Sequence, residues 1–439
     1  MPAPAADQPK ISLLTATCIV IANMVGTGIF TSLGFQVGDL PSGFAIVMLW
    51  MVGGFCAMCG ALSYAELGAA LPRSGGEYNF LREIYHPSVG FLAGWVSGTV
   101  GFAAPVAIAA IPFGIYLGQL FPGTSAIVWS FAVVWIVTAV LLLDVRLRSA
   151  FQIGVTLLKV TLIVVIIAAG FAAPHSQPIS FAPASSDAAL IMSAPFAVSL
   201  YWVMYAYSGW NASTYITNEL RRPTRDILLS VGIGTLVVTV LYVAVNAAFL
   251  RTTPVGEMIG KPEVAFVAAT HIFGDTGGKI MACFICLGLV STISAMTWIG
   301  PRVSMTMGED LHLLRWLAQR NGRGVPVNAT LLQFVIVNVM LLTATFRSVV
   351  NYVQFSLTLC SALTVLGVFV LRWRRPELPR PYKVWGYPVT PLIFLAISAW
   401  MLAHMLTNDT TRMPSLLGLG TTLVALVIYF ASPKSATSR

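Results

Sequence analysis

Apolar stretches of about 20 residues recur along nearly all of this 439-residue chain, and they constrain the fold more than any motif does. A helix rising ~1.5 Å per residue needs about 20 such residues to cross a bilayer core, whereas a barrel strand needs about ten. In lipid the backbone must satisfy its own hydrogen bonds, so a spanning chain is either helical or a closed barrel. The length of the stretches selects helices. Hydrophobic residues make up 57% of the chain and charged residues 9%, with a mean hydropathy of +0.82. A soluble fold would have to hide more than half of its residues in a core. The expectation is an all-α integral membrane protein.

Twelve helices are expected, at about 11–37, 43–70, 89–119, 125–143, 149–172, 189–219, 227–250, 278–306, 328–346, 348–371, 386–406 and 414–431. A shorter amphipathic piece at 262–273 is expected near the surface, and Arg347 and Ser348 mark a tight turn between the ninth and tenth helices. The charges test the count. With the N-terminus inside, 19 of the 25 Lys and Arg residues fall in inner segments, five fall in outer loops, and one, Lys159, falls inside a helix. That bias obeys the positive-inside rule and puts both termini in the cytoplasm. It also accounts for the net charge of +9 without nucleic-acid binding, because the basic residues are scattered over short loops. The first apolar run has no small-residue cleavage site after it and reads as a retained helix, not a signal peptide. The six cysteines lie within apolar stretches. Their two C-x-x-C spacings have no neighbouring His ligands, so neither disulfides nor a metal is expected.

The first helix contains Asn23-Met24-Val25-Gly26-Thr27-Gly28-Ile29, and the sixth contains Tyr205-Ala206-Tyr207-Ser208-Gly209-Trp210-Asn211. Glycines weaken a helix in mid-membrane, and an unwound segment is tolerated in lipid only where it lines a cavity. Freed N–H groups suit a carboxylate and freed carbonyls suit an ammonium. Two facing breaks therefore suit the head group of an α-amino acid. Small residues also serve as helix-packing motifs, but here they recur at corresponding places. The first helix starts inside and the sixth starts outside. Two five-helix blocks, 11–172 and 189–371, would thus be related by inversion, with helices 11 and 12 at 386–431 added. Inverted repeats with a midplane substrate site are typical of secondary transporters.

Lys159 lies about ten residues past the inner end of the fifth helix, so about 15 Å deep at ~1.5 Å per residue. A charge there costs at least ~2.5 kcal/mol and marks function by default. It reads as a cation tethered near the broken helices, either replacing a bound sodium ion or titrating. Glu66, near the inner end of the second helix, is expected to pair with Arg73 or Arg82 in a structural or gating role. Glu219 is expected to form an interfacial ion pair beside Arg221 and Arg222. Tyr205 and Trp210 are large aromatics beside a break, open to two readings, core packing or a lid over substrate. No nucleophile triad, phosphate loop or metal cluster appears, so no enzymatic activity and no cofactor are expected.

These residues resemble a known family. Gly26-Thr27-Gly28-Ile29-Phe30 resembles the helix-one break of the amino acid–polyamine–organocation (APC) superfamily. Tyr64-Ala65-Glu66-Leu67-Gly68 through Leu71-Pro72-Arg73-Ser74-Gly75-Gly76-Glu77-Tyr78 resembles its helix-two signature. Ser208-Gly209-Trp210-Asn211 is similar to the helix-six break of the L-amino acid transporter branch. Arg380-Pro381-Tyr382-Lys383-Val384-Trp385-Gly386-Tyr387-Pro388 is similar to the start of helix eleven in bacterial members. The resemblance spans about residues 11 to 430 and implies a LeuT-like fold working by alternating access. It implies carboxylate binding by the N–H groups of Thr27, Gly28 and Ile29 around Gly26, with the Thr27 hydroxyl helping. It implies ammonium binding by carbonyls of Met24, Tyr205 and Ser208, next to Gly209, with Tyr205 as an aromatic gate. Lys159 matches the family lysine that occupies a sodium position, which implies sodium independence. Animal members link to a heavy-chain glycoprotein through a cysteine between helices three and four. Phe121-Pro122-Gly123-Thr124-Ser125 has none, so no such partner is expected.

The function expected is sodium-independent transport of neutral L-amino acids, by exchange, across a bacterial inner membrane. Neutrality is inferred from the lack of an acidic residue near either break. A proton-coupled symporter, with Lys159 or Glu66 titrating, is the nearest alternative. A channel would need a continuous polar pathway where the sequence shows isolated polar positions. A receptor without transport would not need an inverted repeat.

Overall fold

The computed structural model describes residues 11–73, 75–143, 148–174, 176–321, 325–343 and 345–431. Lys10, Arg146, Arg323, Lys434 and Arg439, counted above, lie outside the described residues, as do both chain ends and the side chain of Glu219. No strand occurs among the described residues. One isolated bridge joins Ile11 to Leu220.

The chain begins with α1 (Leu13–Met24), then α2 (Gly28–Thr31), which continues as a 3-10 turn over Ser32–Phe35. Next come α3 (Gly43–Ala70), α4 (Gly76–Ile84) and α5 (Pro87–Val96). A π-helical turn at Ser97–Gly101 leads into α6 (Ala103–Leu120), followed by α7 (Ala126–Leu143) and α8 (Arg148–Ala172). After α9 (Asp187–Ile191), α10 (Ala194–Tyr207) ends at a second break, and a 3-10 segment covers Ala212–Glu219. Then follow α11 (Pro223–Thr252), α12 (Val255–Met258), α13 (Val264–Asp310) and a 3-10 turn at His312–Ala318. The chain closes with α14 (Val327–Thr343), α15 (Phe346–Arg374), α16 (Val389–Thr407) and α17 (Asp409–Ala431).

Among the described residues eight helical runs are long and apolar enough to cross a membrane: 13–35, 43–70, 87–120, 223–252, 264–309, 346–374, 389–407 and 409–431. Shorter apolar helices lie at 126–142, 156–172 and 327–343. Local chemistry sets several helix starts, those of α1, α3 and α10 among them. Ser12, Ser42 and Ser193 accept hydrogen bonds from the backbone N–H three residues on, at 3.3, 3.2 and 3.4 Å. Such caps satisfy N–H groups that a helix start leaves unpaired.

Three expected boundaries change. The amphipathic piece at 262–273 is the head of α13, set off by a kink at Gly274, where φ is +75°. The turn expected at Arg347 and Ser348 lies earlier, because Thr345 and Ser348 form a capping box that starts α15 at Phe346. The sixth helix does not run α-helically to residue 219. Its C-terminal part is 3-10, where Thr214 Oγ1 and Thr217 Oγ1 donate to the carbonyls of Asn211 and Thr214 at 2.7 and 2.9 Å. Hydroxyls bonded to nearby carbonyls compete with regular α geometry.

Around the first break, α11 packs against both α1 and α3, and α10 packs against α3 and α16. A buried core formed by these elements surrounds Met24, Val25 and Ile29.

Candidate functional site

The two breaks meet. Val25, Gly26 and Thr27 separate α1 from α2, and Ser208 to Asn211 separate α10 from the 3-10 segment. A Cβ on Gly28 would lie 2.6 Å from the Cα of Ala206. A Cβ on Gly209 would lie 2.9 Å from the backbone carbonyl of Asn23, and Gly209 has φ +101°. Each break thus fits against the helix end beside the other, and glycine is needed at both crossings because any side chain would push the backbones apart. Gly26 differs. The nearest atom to its missing Cβ is the Met24 oxygen at 3.9 Å, so that face is open.

The free backbone groups have specific partners. At a helix start the first N–H groups have no intrahelical acceptor, and α2 presents its own at Gly28 and Ile29. The carbonyl of Met24 accepts from the Tyr242 hydroxyl at 2.6 Å and from the Gly26 N–H at 2.8 Å. The same Tyr242 hydroxyl lies 3.2 Å from the carbonyl oxygen of Ala206, so one side chain of α11 reaches both breaks. The Tyr205 carbonyl accepts from the Ser208 N–H at 3.0 Å. Two carbonyls expected to face an ammonium are therefore engaged within the protein, though each oxygen has a second lone pair. The hydroxyls of Thr27 and Tyr205 lie 3.4 Å apart, and both side chains are buried.

Lys159 reaches the first break from α8. Its Nζ donates to the Val25 carbonyl at 3.3 Å and to Thr292 Oγ1 of α13 at 2.9 Å, and the residue is 5% exposed. Its stem runs along Gly288, whose missing Cβ would lie 3.1 Å from Lys159 Cε. A small pocket lies between these elements, lined by Gly26, Phe30, Lys159, Gly288 and Thr292 among others.

Aromatic groups flank the second break. Above it Trp202 stacks on Phe35 with ring centroids 4.5 Å apart and on Phe346 at 6.0 Å, joining α10 to the ends of α2 and α15. Beyond it Trp210 packs edge-on against Tyr64 at 4.7 Å and against Phe394 at 6.3 Å. Tyr205 lies in an apolar cluster with Val100, Ala104, Ile108 and Val353. Among the described residues no hydrogen bond or ion pair joins a carboxylate to either break.

Glu66 is corrected. Its partners are not Arg73 or Arg82 but Arg372 and Arg380, from the other end of the chain. Arg372 Nε and Nη2 donate to Oε1 and Oε2 at 2.8 and 2.5 Å. Arg380 Nε stands 3.7 Å from Oε1, and the Val384 N–H donates to Oε2 at 2.7 Å. Sequence distance hid these partners, because the pair Glu66–Arg372 spans 306 residues. Three site residues escaped the sequence reading: Tyr242, Thr292 and Trp202. For Tyr242 a signal existed, since a tyrosine hydroxyl inside an apolar helix has to find a partner.

The chain is similar in sequence to known amino acid transporters. The sequence profile of the amino acid permease family matches residues 11–432. The chain is 28% identical over 413 residues to b(0,+)-type amino acid transporter 1 of Mus musculus, covering 92% of this chain and 83% of that protein. It is 28% identical over 427 residues to Asc-type amino acid transporter 1 of Mus musculus, covering 95% and 79%. It is 28% identical over 441 residues to large neutral amino acids transporter small subunit 2 of Homo sapiens, covering 96% and 80%.

Proposed function

The chain belongs to the amino acid permease family, a family of transporters and not of enzymes, and on that premise we propose that it carries neutral L-amino acids across the membrane by sodium-independent exchange. The observation that carries this reading is the apposition of the two breaks, Gly28 on Ala206 and Gly209 on Asn23. In this reading the substrate carboxylate meets the N–H groups of Thr27, Gly28 and Ile29 beside Gly26, and its ammonium meets the carbonyls of Met24, Tyr205 and Ser208 beside Gly209. Tyr205 closes over the head group, and Trp210 holds the inner half of the break against Tyr64. The apolar cluster around Tyr205 supports an uncharged side chain, since a basic one would need a carboxylate partner.

Sodium independence is supported by Lys159. Its ammonium already occupies a position bounded by a break carbonyl and a hydroxyl, the oxygen ligands that a hard cation takes. Residues 11–172 and 189–371 form the two inverted repeats of a LeuT-like fold of about 12 spans, with 386–431 as two added helices. Both termini face the cytoplasm, and the membrane is the bacterial inner membrane. One matched relative is named a small subunit. Here the turn at 121–125 has no cysteine, so this chain works without a disulfide-linked heavy chain.

The test is competition. Binding of labelled L-leucine to the purified protein in sodium-free buffer should be displaced by other neutral L-amino acids and not by L-arginine or L-glutamate. Equal displacement by L-arginine would sink the neutral assignment.

A further inference from the structure

Two carboxylates lie buried where α3 and α15 approach each other, and they are treated in opposite ways. Glu66 is saturated by guanidinium groups, as described above. Glu77 is 4% exposed, and its Oε1 accepts from the hydroxyl of Tyr64 on α3 at 2.5 Å and from Ser361 Oγ on α15 at 3.0 Å. No ammonium or guanidinium pairs with it among the described residues. A carboxyl kept only for structure is commonly buried with a cation, because an unpaired buried charge is costly. Hydroxyls can serve a carboxyl in either protonation state, since each can donate or accept.

The local fold inserts this side chain deliberately. Glu77 sits at the start of α4, after Gly75 at φ +125° and Gly76 at φ +53°. A Cβ on Gly76 would lie 2.4 Å from the Tyr215 ring. The turn is thus pressed under the 3-10 segment that follows the second break. The titratable groups facing Glu77 are Tyr64 from α3, Tyr215 from the 3-10 segment and Cys360 from α15. On α4 itself Arg82 and Glu83 lie further along. Glu66, Arg372 and Arg380 are engaged with one another.

A file of polar side chains leads to the same place. Asn351, Gln354, Thr358 and Ser361 fall at i, i+3, i+7 and i+10, one face of α15. Asn351 is 1% exposed and Gln354 3%. Gln354 Nε2 donates to Thr358 Oγ1 at 2.8 Å, while Asn351 Oδ1 and Gln354 Oε1 have no donor among the described residues. Their helix neighbours Val350 and Val353 pack in one cluster with Trp202 and Tyr205. The file therefore runs from the level of the second break down to Glu77, and its unpaired oxygens suit water.

We propose that Glu77 is a proton-binding site, protonated while α3, the 3-10 segment and α15 enclose it and ionised when that enclosure opens. On opening, the carboxyl O–H bond breaks and the proton passes to water on the inner side; on closing, it is taken back from water. Burial holds the carboxyl above its usual value of 4.5, and the Tyr64 and Ser361 hydroxyls pull it part of the way back. A raised value means that the protonated form favours the closed packing. That contribution is complete below pH 4.5 and is lost as pH rises through the raised value, so alkaline pH loosens the enclosure.

The proton site does not depend on which substrate is carried; only its gating role rests on the transport reading. Two measurements separate these. Infrared difference spectra of the full chain in lipid vesicles, taken across a pH titration, should show a protonated carboxyl persisting above the ordinary carboxylate range. Glu77→Gln should lose it, and Glu77→Asp should keep it with a shifted midpoint. Identical titrations of wild type and Glu77→Gln would overturn the site. So would a Glu77→Asp protein lacking the band, should the Gln variant fail to fold. In exchange assays with labelled L-leucine and equal pH on both sides, the wild-type rate should rise with pH, while Glu77→Gln stays at the slow, low-pH rate. A Glu77→Gln variant with the wild-type pH profile would overturn the gating role. Absence of leucine exchange in wild type would count against the substrate assignment and leave the infrared result to decide the proton site.

Discussion

The hydroxyl of Tyr242 donates to the carbonyl oxygen of Met24 at 2.6 Å, and that carbonyl closes the first half of the broken helix. A second acceptor, Ala206, lies within 3.2 Å of the same hydroxyl. A buried acceptor that loses its donor costs about 1–3 kcal/mol. Tyr242→Phe should therefore lower thermal stability by that order and slow exchange, because both breaks lose a shared anchor. An unchanged melting temperature would mean that another group takes over.

The three break glycines should separate. Gly28→Ala and Gly209→Ala place a methyl against backbone, and overpacking costs about 1–3 kcal/mol or more. Both should destabilise the fold and abolish transport. Gly26→Ala meets open space, so it should keep the melting temperature and lose only substrate affinity. Melting curves and leucine binding on the three variants check this.

Lys159→Met removes both donors to Val25 and Thr292. Exchange should be lost while the protein remains folded, as judged by size-exclusion chromatography. Thr292→Val removes one partner, a loss of about 0.5–1.5 kcal/mol, and should keep measurable exchange. Equal loss in both variants would assign the role to the hydroxyl instead of the ammonium.

Glu66→Gln breaks a bidentate ion pair whose carboxylate is buried but whose Arg372 partner is partly exposed, so the loss should fall below the about 3–5 kcal/mol of a fully buried pair. Replacing both residues, as Glu66→Gln with Arg372→Met, should cost less than the sum of the single changes. Additive losses in a double-mutant cycle would show that Arg380 or Val384, and not Arg372, is the main partner.

The two breaks and the lysine of the candidate site were legible in sequence because their chemistry is local. Gly26-Thr27-Gly28 announces a break by composition, and the break falls at Val25 to Thr27. Ser208-Gly209 does the same. A lone lysine inside the apolar α8 stands out, and its nitrogen does reach the first break. What could not be read is pairing across the chain. Glu66 finds Arg372 only after α3 and α15 pack together, and nothing nearby in sequence points to it. The 3-10 geometry of Ala212–Glu219 was hidden for a different reason, since hydroxyl-to-carbonyl competition is a matter of geometry that apolar periodicity does not report.

The central claim, sodium-independent exchange of neutral amino acids, is tested most directly by uptake of labelled L-leucine into proteoliposomes in sodium-free buffer, with and without unlabelled L-leucine preloaded. Exchange requires uptake into preloaded vesicles and little into empty ones. Equal uptake into empty vesicles, or uptake that appears only when sodium is added, would contradict it.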